Sequence, residues 1–170
     1  ITEGAFDISF AAMDKIWKFD GSMEEIPTSL AIQKAIEKIG YQHIIINEEA
    51  STIFLEKLGM KIGFGSTGKG YAADKARELM LQLGINAGII DASGDMTTWG
   101  NQPNDEPWKI GITNPFRKYK YAEILTFRNA AVTTSGDYEK FVMIDGKRYS
   151  HIINPKTGMP STGLTGVTVI

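Results

Sequence analysis

The stretch Gly63-Phe64-Gly65-Ser66-Thr67-Gly68-Lys69-Gly70-Tyr71-Ala72-Ala73-Asp74 sets four glycines and a lysine directly ahead of a helical pattern. Glycines let backbone N–H groups close around an anion, a following helix adds the positive end of its dipole, and a lysine adds a full charge. The composition is that of a phosphate cradle, and more than one design uses it. Gly63, Gly68 and Lys69 fit the P-loop pattern G-x-x-x-x-G-K, but the place that should carry a Mg²⁺-binding hydroxyl is Gly70. Gly63, Gly65 and Gly68 also spell G-x-G-x-x-G, with Asp91 closing the next apolar run about 20 residues on, as in a dinucleotide fold. The weakness of that match lies in front of it: Met60 and Ile62 make a short run for a strand, and a chain with 18 glycines meets this spacing by chance. A plain glycine-rich turn without a ligand is the remaining reading.

Downstream, Ala72, Ala76, Leu79, Met80 and Leu83 fall on one helical face that stops at Gly84. Ala87 to Ile90 reads as a short buried strand delivering the turn Asp91-Ala92-Ser93-Gly94-Asp95. Trp108, Ile110 and Ile112 alternate as a half-exposed strand, broken by Asn114-Pro115 and followed by a loop with Arg117, Lys118 and Lys120 that reads as solvated. Tyr121 to Phe127 and Ala131 to Thr134 are further strand candidates. Phe141 to Ile144 and Arg148 to Ile152 flank Asp145-Gly146, a two-residue hairpin signal that Lys147 could lengthen, and Val167 to Ile170 opens a last strand.

Upstream, Phe6, Phe10, Met13 and Trp17 recur at helical spacing, which predicts an amphipathic helix closed by Asp20-Gly21. Thr28 or Ser29 caps a helix with Ile32, Ala35, Ile36 and Ile39 on its apolar face and Gly40 at its end. His43 to Ile46 and Ser51 to Leu55 read as strands around an Asn47-Glu48-Glu49 turn. His43 shows no evident partner and is assigned no chemistry. Several hairpin-like strands with three helices, no repeat and no linker predict a single α+β or mixed α/β domain in which sheet is the larger element.

The 170 residues are 42% hydrophobic and 22% charged, enough for one sizeable core. The net charge of -2 comes from 18 basic and 20 acidic residues without long runs, which argues against a nucleic-acid or polybasic membrane surface. Zero cysteines exclude disulfides, thiolate metal sites and a thiol nucleophile. Apolar stretches fall far short of the roughly 20 residues that span a bilayer, and no signal sequence opens the chain. Ile1 is not a start residue and Val167 to Ile170 is cut off in mid-pattern, so a targeting segment and C-terminal elements are expected outside this stretch.

Five segments resemble, in order and spacing, the motifs of the FAD:protein FMN transferases of the ApbE type, once called thiamine biosynthesis lipoproteins. Gly4-Ala5-Phe6-Asp7-Ile8 is similar to G-A-F-D-I/V, Phe64 to Asp74 to D-L-G-x-x-x-K-G-Y-A-x-D, and Asp91 to Asp95 to N-x-G-G-D/N. Thr133-Thr134-Ser135-Gly136-Asp137-Tyr138-Glu139 resembles x-T-S-G-D/S-Y, and His151-Ile152-Ile153-Asn154-Pro155-Lys156-Thr157-Gly158-Met159-Pro160 resembles the highly specific H-I-I-D-P-x-T-G-x-P. Together they cover almost the whole chain, which neither the P-loop nor the dinucleotide pattern explains. Trp17 also sits where the family often has a tryptophan.

The resemblance implies a T-fold-related single domain with a predominantly antiparallel sheet and flanking helices. It implies a Mg²⁺-dependent transferase that cleaves FAD, attaches FMN through a phosphoester to a Thr or Ser of a target redox protein, and releases AMP. The alternative is an FAD-binding protein or FAD pyrophosphatase without efficient transfer. His151 is then the candidate base, Lys69 lies against the nucleotide, and Ser66 matches a position that gives Mg²⁺ a loop oxygen. Ala5, Phe6, Asp7, Gly63, Lys69, His151 and Ile153 match positions at the FAD site, while the family's other metal ligands are expected after Ile170. Two departures stand out: Gly63 replaces a family aspartate and Asn154 replaces the aspartate of H-x-x-D-P. Family members are commonly exported and lipid-anchored at the periplasmic face of the inner membrane, which sets the expected location and makes an N-terminal lipid anchor the only expected membrane contact.

Overall fold

A computed structural model describes residues 2–117, 119–138 and 140–170, so Ile1, Lys118 of the basic loop and Glu139 of the Thr133–Glu139 motif lie outside the described residues. The elements run α1 (Ser29–Ile36), β1 (Ile44–Asn47), β2 (Thr52–Leu55), α2 (Gly68–Gln82), β3 (Gly88–Ala92), β4 (Asp95–Trp99), β5 (Trp108–Thr113), β6 (Tyr121–Phe127), β7 (Ala130–Gly136), β8 (Phe141–Ile144), β9 (Lys147–Ser150) and β10 (Gly166–Val169). Every strand pairing among them is antiparallel, so the mixed α/β class with antiparallel sheets holds. Two α-helices are present among the described residues, not three. The chain forms two compact units, one of residues 1–64 and 139–164, the other of residues 65–138 and 165–170.

In the first unit, Thr28 Oγ1 accepts the Ala31 N–H at 3.3 Å and starts α1, as its sequence predicts. β1 and β2 form a hairpin whose turn is held by Asn47 Oδ1, which accepts the Ala50 N–H. β8 and β9 pair around Asp145 (φ 50°) and Gly146 (φ 74°), both left-handed as a two-residue hairpin turn demands. Lys147 does not lengthen that loop, since it already pairs with Ile144. The core joins Val142, Ile144 and Tyr149 of this hairpin to Trp17, whose ring stacks on Tyr149 with centroids 5.7 Å apart. Met13, Ile16 and Phe19 pack around the cluster.

These packing partners belong to a stretch that is not the predicted helix. Only Ile8–Ala12 is helical, as one 3₁₀ segment, and Met13 leaves it with ψ 130°. Asp7 is the cause at its start: its carboxylate accepts the Ser9 N–H and hydroxyl, a cap that favours a tight turn. The spacing of Met13 and Trp17 records packing on the β8–β9 hairpin, not a helical repeat. The Asp20-Gly21 turn is present, with Asp20 Oδ1 accepting from the Ser22 N–H and hydroxyl.

The second unit is built on a four-stranded sheet ordered β10-β7-β4-β3. Val132, Thr97, Thr98 and Trp99 are buried at its centre, and Trp99 Nε1 donates to the Ile85 carbonyl. β5 and β6 make a separate hairpin, tied by the Trp108 Nε1 bond to the Trp99 carbonyl. α2 buries Ala73 and half-buries Ala76, Arg77 and Met80, while Ala72, Leu79 and Leu83 are exposed, so its packing face is turned about one residue from the predicted one. β3 is a sheet edge with alternating exposure and not a buried strand. The predicted last strand, β10, pairs with β7 and forms the other edge.

Candidate active site

β9 delivers His151 by continuing the hairpin ladder one step: the His151 N–H donates to the Lys140 carbonyl at 2.9 Å. The ring folds back to the same oxygen, with Nδ1 3.0 Å from it. A carbonyl only accepts, so Nδ1 carries a proton, and in the neutral form of the ring the lone pair is then on Nε2. The exposed imidazole borders a cavity of about 290 Å³ whose other walls include Phe10, Ala11, Met13, Trp17, Phe19 and Ile153. Most of the lining is apolar, with Asp14 and Lys15 adding one charge of each sign to the wall.

The segment after His151 is stitched by backbone bonds. Ile153 bridges Pro160, and the Asn154 carbonyl accepts the Thr157 and Gly158 N–H groups. Asn154 Oδ1 accepts the Lys156 N–H at 2.9 Å, so the amide does the turn-forming work of one carboxylate oxygen. Gly158 has φ 68°, and a Cβ there would meet Ile32 Cγ2 of α1 at 2.7 Å. Its carbonyl accepts the buried Trp17 Nε1–H at 2.8 Å, which assigns that tryptophan a task beyond packing.

The Ala5-Phe6-Asp7 segment lies in the same unit. Ala5 and Phe6 are exposed, but Asp7 is engaged: Oδ1 takes both Ser9 donors and Oδ2 accepts the Tyr41 N–H at 2.8 Å. The buried Ser9 hydroxyl in turn accepts the Gly40 N–H. Around this network opens a more polar cavity of about 420 Å³, with Glu3, Gly4, Tyr41 and Lys156 on its walls. Gly63 donates its N–H to the Ile8 carbonyl, and a Cβ on it would come within 2.8 Å of the Ala11 Cβ. An aspartate in place of Gly63 would therefore displace Ala11, so the structure offers no room for the carboxylate the motif lacks.

The glycine loop crosses from one unit to the other between Phe64 and Gly65. None of Gly63, Gly65, Gly68 and Gly70 has a positive φ, and around the last three a Cβ would meet nothing, so these glycines clear space and do not bend the chain. No strand leads into the loop, and the strands that follow it are antiparallel, which removes the parallel βαβ frame that both the P-loop and the dinucleotide fingerprint need.

In the second unit, Lys69 leaves the first turn of α2 and reaches the β3–β4 turn. Its Nζ donates to the Ser93 carbonyl at 3.0 Å and to Asp95 Oδ1 at 3.2 Å. Sequence reasoning missed these partners, although Asp95 closes one of the family motifs. It also missed the His151 partner, a main-chain oxygen that no residue type announces. Ser66 sits exposed in the turn before α2. Mg²⁺ takes about six oxygens and keeps several waters, yet among the described residues no three His, Cys, Asp or Glu side chains converge. Ser66 offers a single exposed hydroxyl, and the described residues do not form a metal cage. His43 does have a partner: Nδ1 lies 2.9 Å from Glu56 Oε2.

An antiparallel α+β architecture carrying a histidine turn and a tethered lysine defines the class, and comparison gives the family. The model of the ApbE family matches residues 1–170, and the chain belongs to that family. It is 34% identical over 175 aligned positions to a FAD:protein FMN transferase of Salmonella typhimurium, covering 99% of this chain and 50% of that protein. The corresponding enzyme of Escherichia coli K12 is 31% identical, with 99% and 50% covered. The structure superposes on the ApbE protein of Thermotoga maritima with TM-score 0.85 and 35% identity, covering 98% of this chain and 54% of that one. For the flavin transferase ApbE of Vibrio cholerae the values are 0.82, 27%, 98% and 53%. The chain thus spans about half the length of the curated relatives it matches.

Proposed function

We propose that this chain is part of an FAD:protein FMN transferase. The observation that carries the reading is the His151 turn, in which the imidazole bonds the Lys140 carbonyl through Nδ1 and borders a cavity; relatives that bear the name of this activity support it. The hydroxyl of an acceptor Thr or Ser gives its proton to His151 Nε2 as its oxygen bonds to the phosphorus of the FMN half. The pyrophosphate P–O bond breaks, and AMP leaves with the electron pair on its phosphate oxygen. Lys69 grips the nucleotide by charge, and the Ala5-Phe6-Asp7 segment and Ile153 line the FAD site, Asp7 through the backbone it holds. Mg²⁺, with Ser66 as one ligand, would neutralise phosphate charge when bound. The acceptor is a redox protein, and the enzyme works at the periplasmic face, anchored by a lipid.

A second reading, an FAD-binding protein or pyrophosphatase that transfers poorly, is favoured by Gly63: the family motif carries a carboxylate there, and this chain has bare backbone packed against Ala11. Incubating the full-length protein, including the segments expected outside this stretch, with FAD, Mg²⁺ and a peptide bearing the acceptor threonine, then weighing the peptide, separates the two. A mass gain of one FMN is expected; FAD binding with no gain selects the second reading, and binding of NADH in place of FAD would discard both.

A further inference from the structure

The Asp91–Asp95 turn is a motif to which the proposed reaction gives no task. It joins β3 to β4 through Ser93 (φ 57°) and Gly94 (φ 92°), and Asp91 Oδ1 accepts the Gly94 N–H at 2.6 Å. That bond fixes the turn whose Ser93 carbonyl faces Lys69. One residue on, Asp95 pairs across the sheet with Thr133 of β7, and the Thr133 hydroxyl donates to Asp95 Oδ1 at 2.7 Å. The same oxygen receives the Lys69 ammonium. The Asp95 side chain is only 16% exposed while that of Lys69 is 45% exposed, so the anchor is the better buried and less mobile member.

We infer that Asp95, held by Thr133, is a positioning residue for Lys69, and that the Asp91–Asp95 turn serves as its clamp. An ammonium has three N–H donors. Two are directed at Ser93 and Asp95, which leaves one to meet a phosphate oxygen, and the carboxylate offsets part of the charge. Lys69 thereby acts as an aimed donor and not as a loose cation. The clamp lowers the freedom a four-carbon stem must lose when the nucleotide is engaged. Its value is therefore read first in how readily the nucleotide is gripped. The inference rests on reading Lys69 as a nucleotide ligand, but the clamp itself is testable without any nucleotide.

In a first arm, the free full chain is labelled with a limiting amount of an amine-reactive acylating reagent, and modification of each lysine is followed by peptide mass. Asp95→Ala should raise the Lys69 rate about threefold or more, Thr133→Val by less, and Lys61 should not change. Asp95→Asn, which keeps an acceptor oxygen, should recover part of the protection. Unchanged Lys69 labelling in both Asp95→Ala and Thr133→Val overturns the clamp, and if Asp95→Ala fails to fold the Thr133→Val and Asp95→Asn pair decides alone. In the second arm, FAD affinity and single-turnover FMN transfer are measured separately. Asp95→Ala should weaken FAD affinity about threefold, less than Lys69→Met does, and lower the saturated rate by a smaller factor, and Lys69→Met should abolish both effects of Asp95→Ala in the double variant. Losses that multiply in the double variant overturn positioning. A clamp that passes the first arm in a protein that binds no FAD sinks the transferase reading and spares the clamp.

Discussion

The two units hold their reactive groups by different means. Lys69 is fixed by side chains and a carbonyl on a continuous sheet, where cross-strand register alone puts Asp95 beside Thr133. His151 stands on a two-stranded hairpin followed by irregular chain, and its frame is a set of single bonds: two to the Lys140 carbonyl, one from Trp17 to the Gly158 carbonyl, one from the Lys156 N–H to Asn154 Oδ1. A ladder shares strain among many equivalent bonds, whereas a stitched loop depends on each stitch. The first unit should therefore respond sharply to changes that touch one bond, and the second should lose aim before it loses fold.

The largest effect tests the hairpin side. If His151 takes the acceptor proton, His151→Ala should slow transfer about a hundredfold or more with FAD binding nearly intact, the usual scale for a positioned base. Single-turnover transfer at saturating FAD, beside a fluorescence titration, measures both. Loss of binding with the saturated rate kept would make His151 a ligand-binding group instead. Next is Trp17→Phe, which keeps an aromatic ring against Tyr149 but leaves the buried Gly158 carbonyl without its donor. A loss of about 2 kcal/mol in denaturant unfolding is expected, in the range for an orphaned buried acceptor plus reduced ring volume. A loss within error would mean that the loop is not held by this bond.

Lys69→Ala is the matching change in the other unit and should be milder. A group that grips the nucleotide acts in ground and transition state alike, so FAD affinity should fall about tenfold and the saturated rate less. Fold stability should change little, because the Lys69 end of the pair is exposed and Asp95 keeps its bond from the Thr133 hydroxyl. If Lys69→Ala unfolds as readily as Trp17→Phe, the contrast between sheet and stitched loop fails.

What could be read in the sequence follows the same division. Turn chemistry was legible: Asp145-Gly146, the Thr28 cap and the Ser93-Gly94 turn are dictated by residues that tolerate or prefer those backbone angles. Helical spacing misled at Met13 and Trp17, because an irregular segment lying across a hairpin also buries residues three or four apart. The α2 face was misread because Leu79 and Leu83 are more apolar than Arg77, yet Arg77 is the better covered. Apolarity reports what a residue can bury, not what the fold buries. The family motifs pointed to His151 and Lys69, but their partners are a main-chain oxygen and a cross-strand carboxylate, both set by register, which single-sequence patterns do not encode.

The smallest effect sharpens the stitched-loop idea at the surface. Asp20 is held below the ordinary carboxylate value first by the Ser22 hydroxyl and then by the Ser22 N–H, against a weaker opposing push from desolvation. A carboxyl whose folded value is depressed adds stability that is present above its unfolded value and is lost as pH falls through the folded one. Ser22→Ala removes the leading cause and keeps the N–H, so the Asp20 titration should move up toward the ordinary value without reaching it. Proton titration followed by carboxyl-carbon NMR reads this directly, and stability at neutral pH should change little because the turn is exposed. The difference between variant and parent should close on the acid side, where both carboxyls are neutral. An Asp20 titration that ignores Ser22→Ala would assign the turn to the left-handed Gly21 alone, and the hydroxyl would be one stitch the first unit does not need.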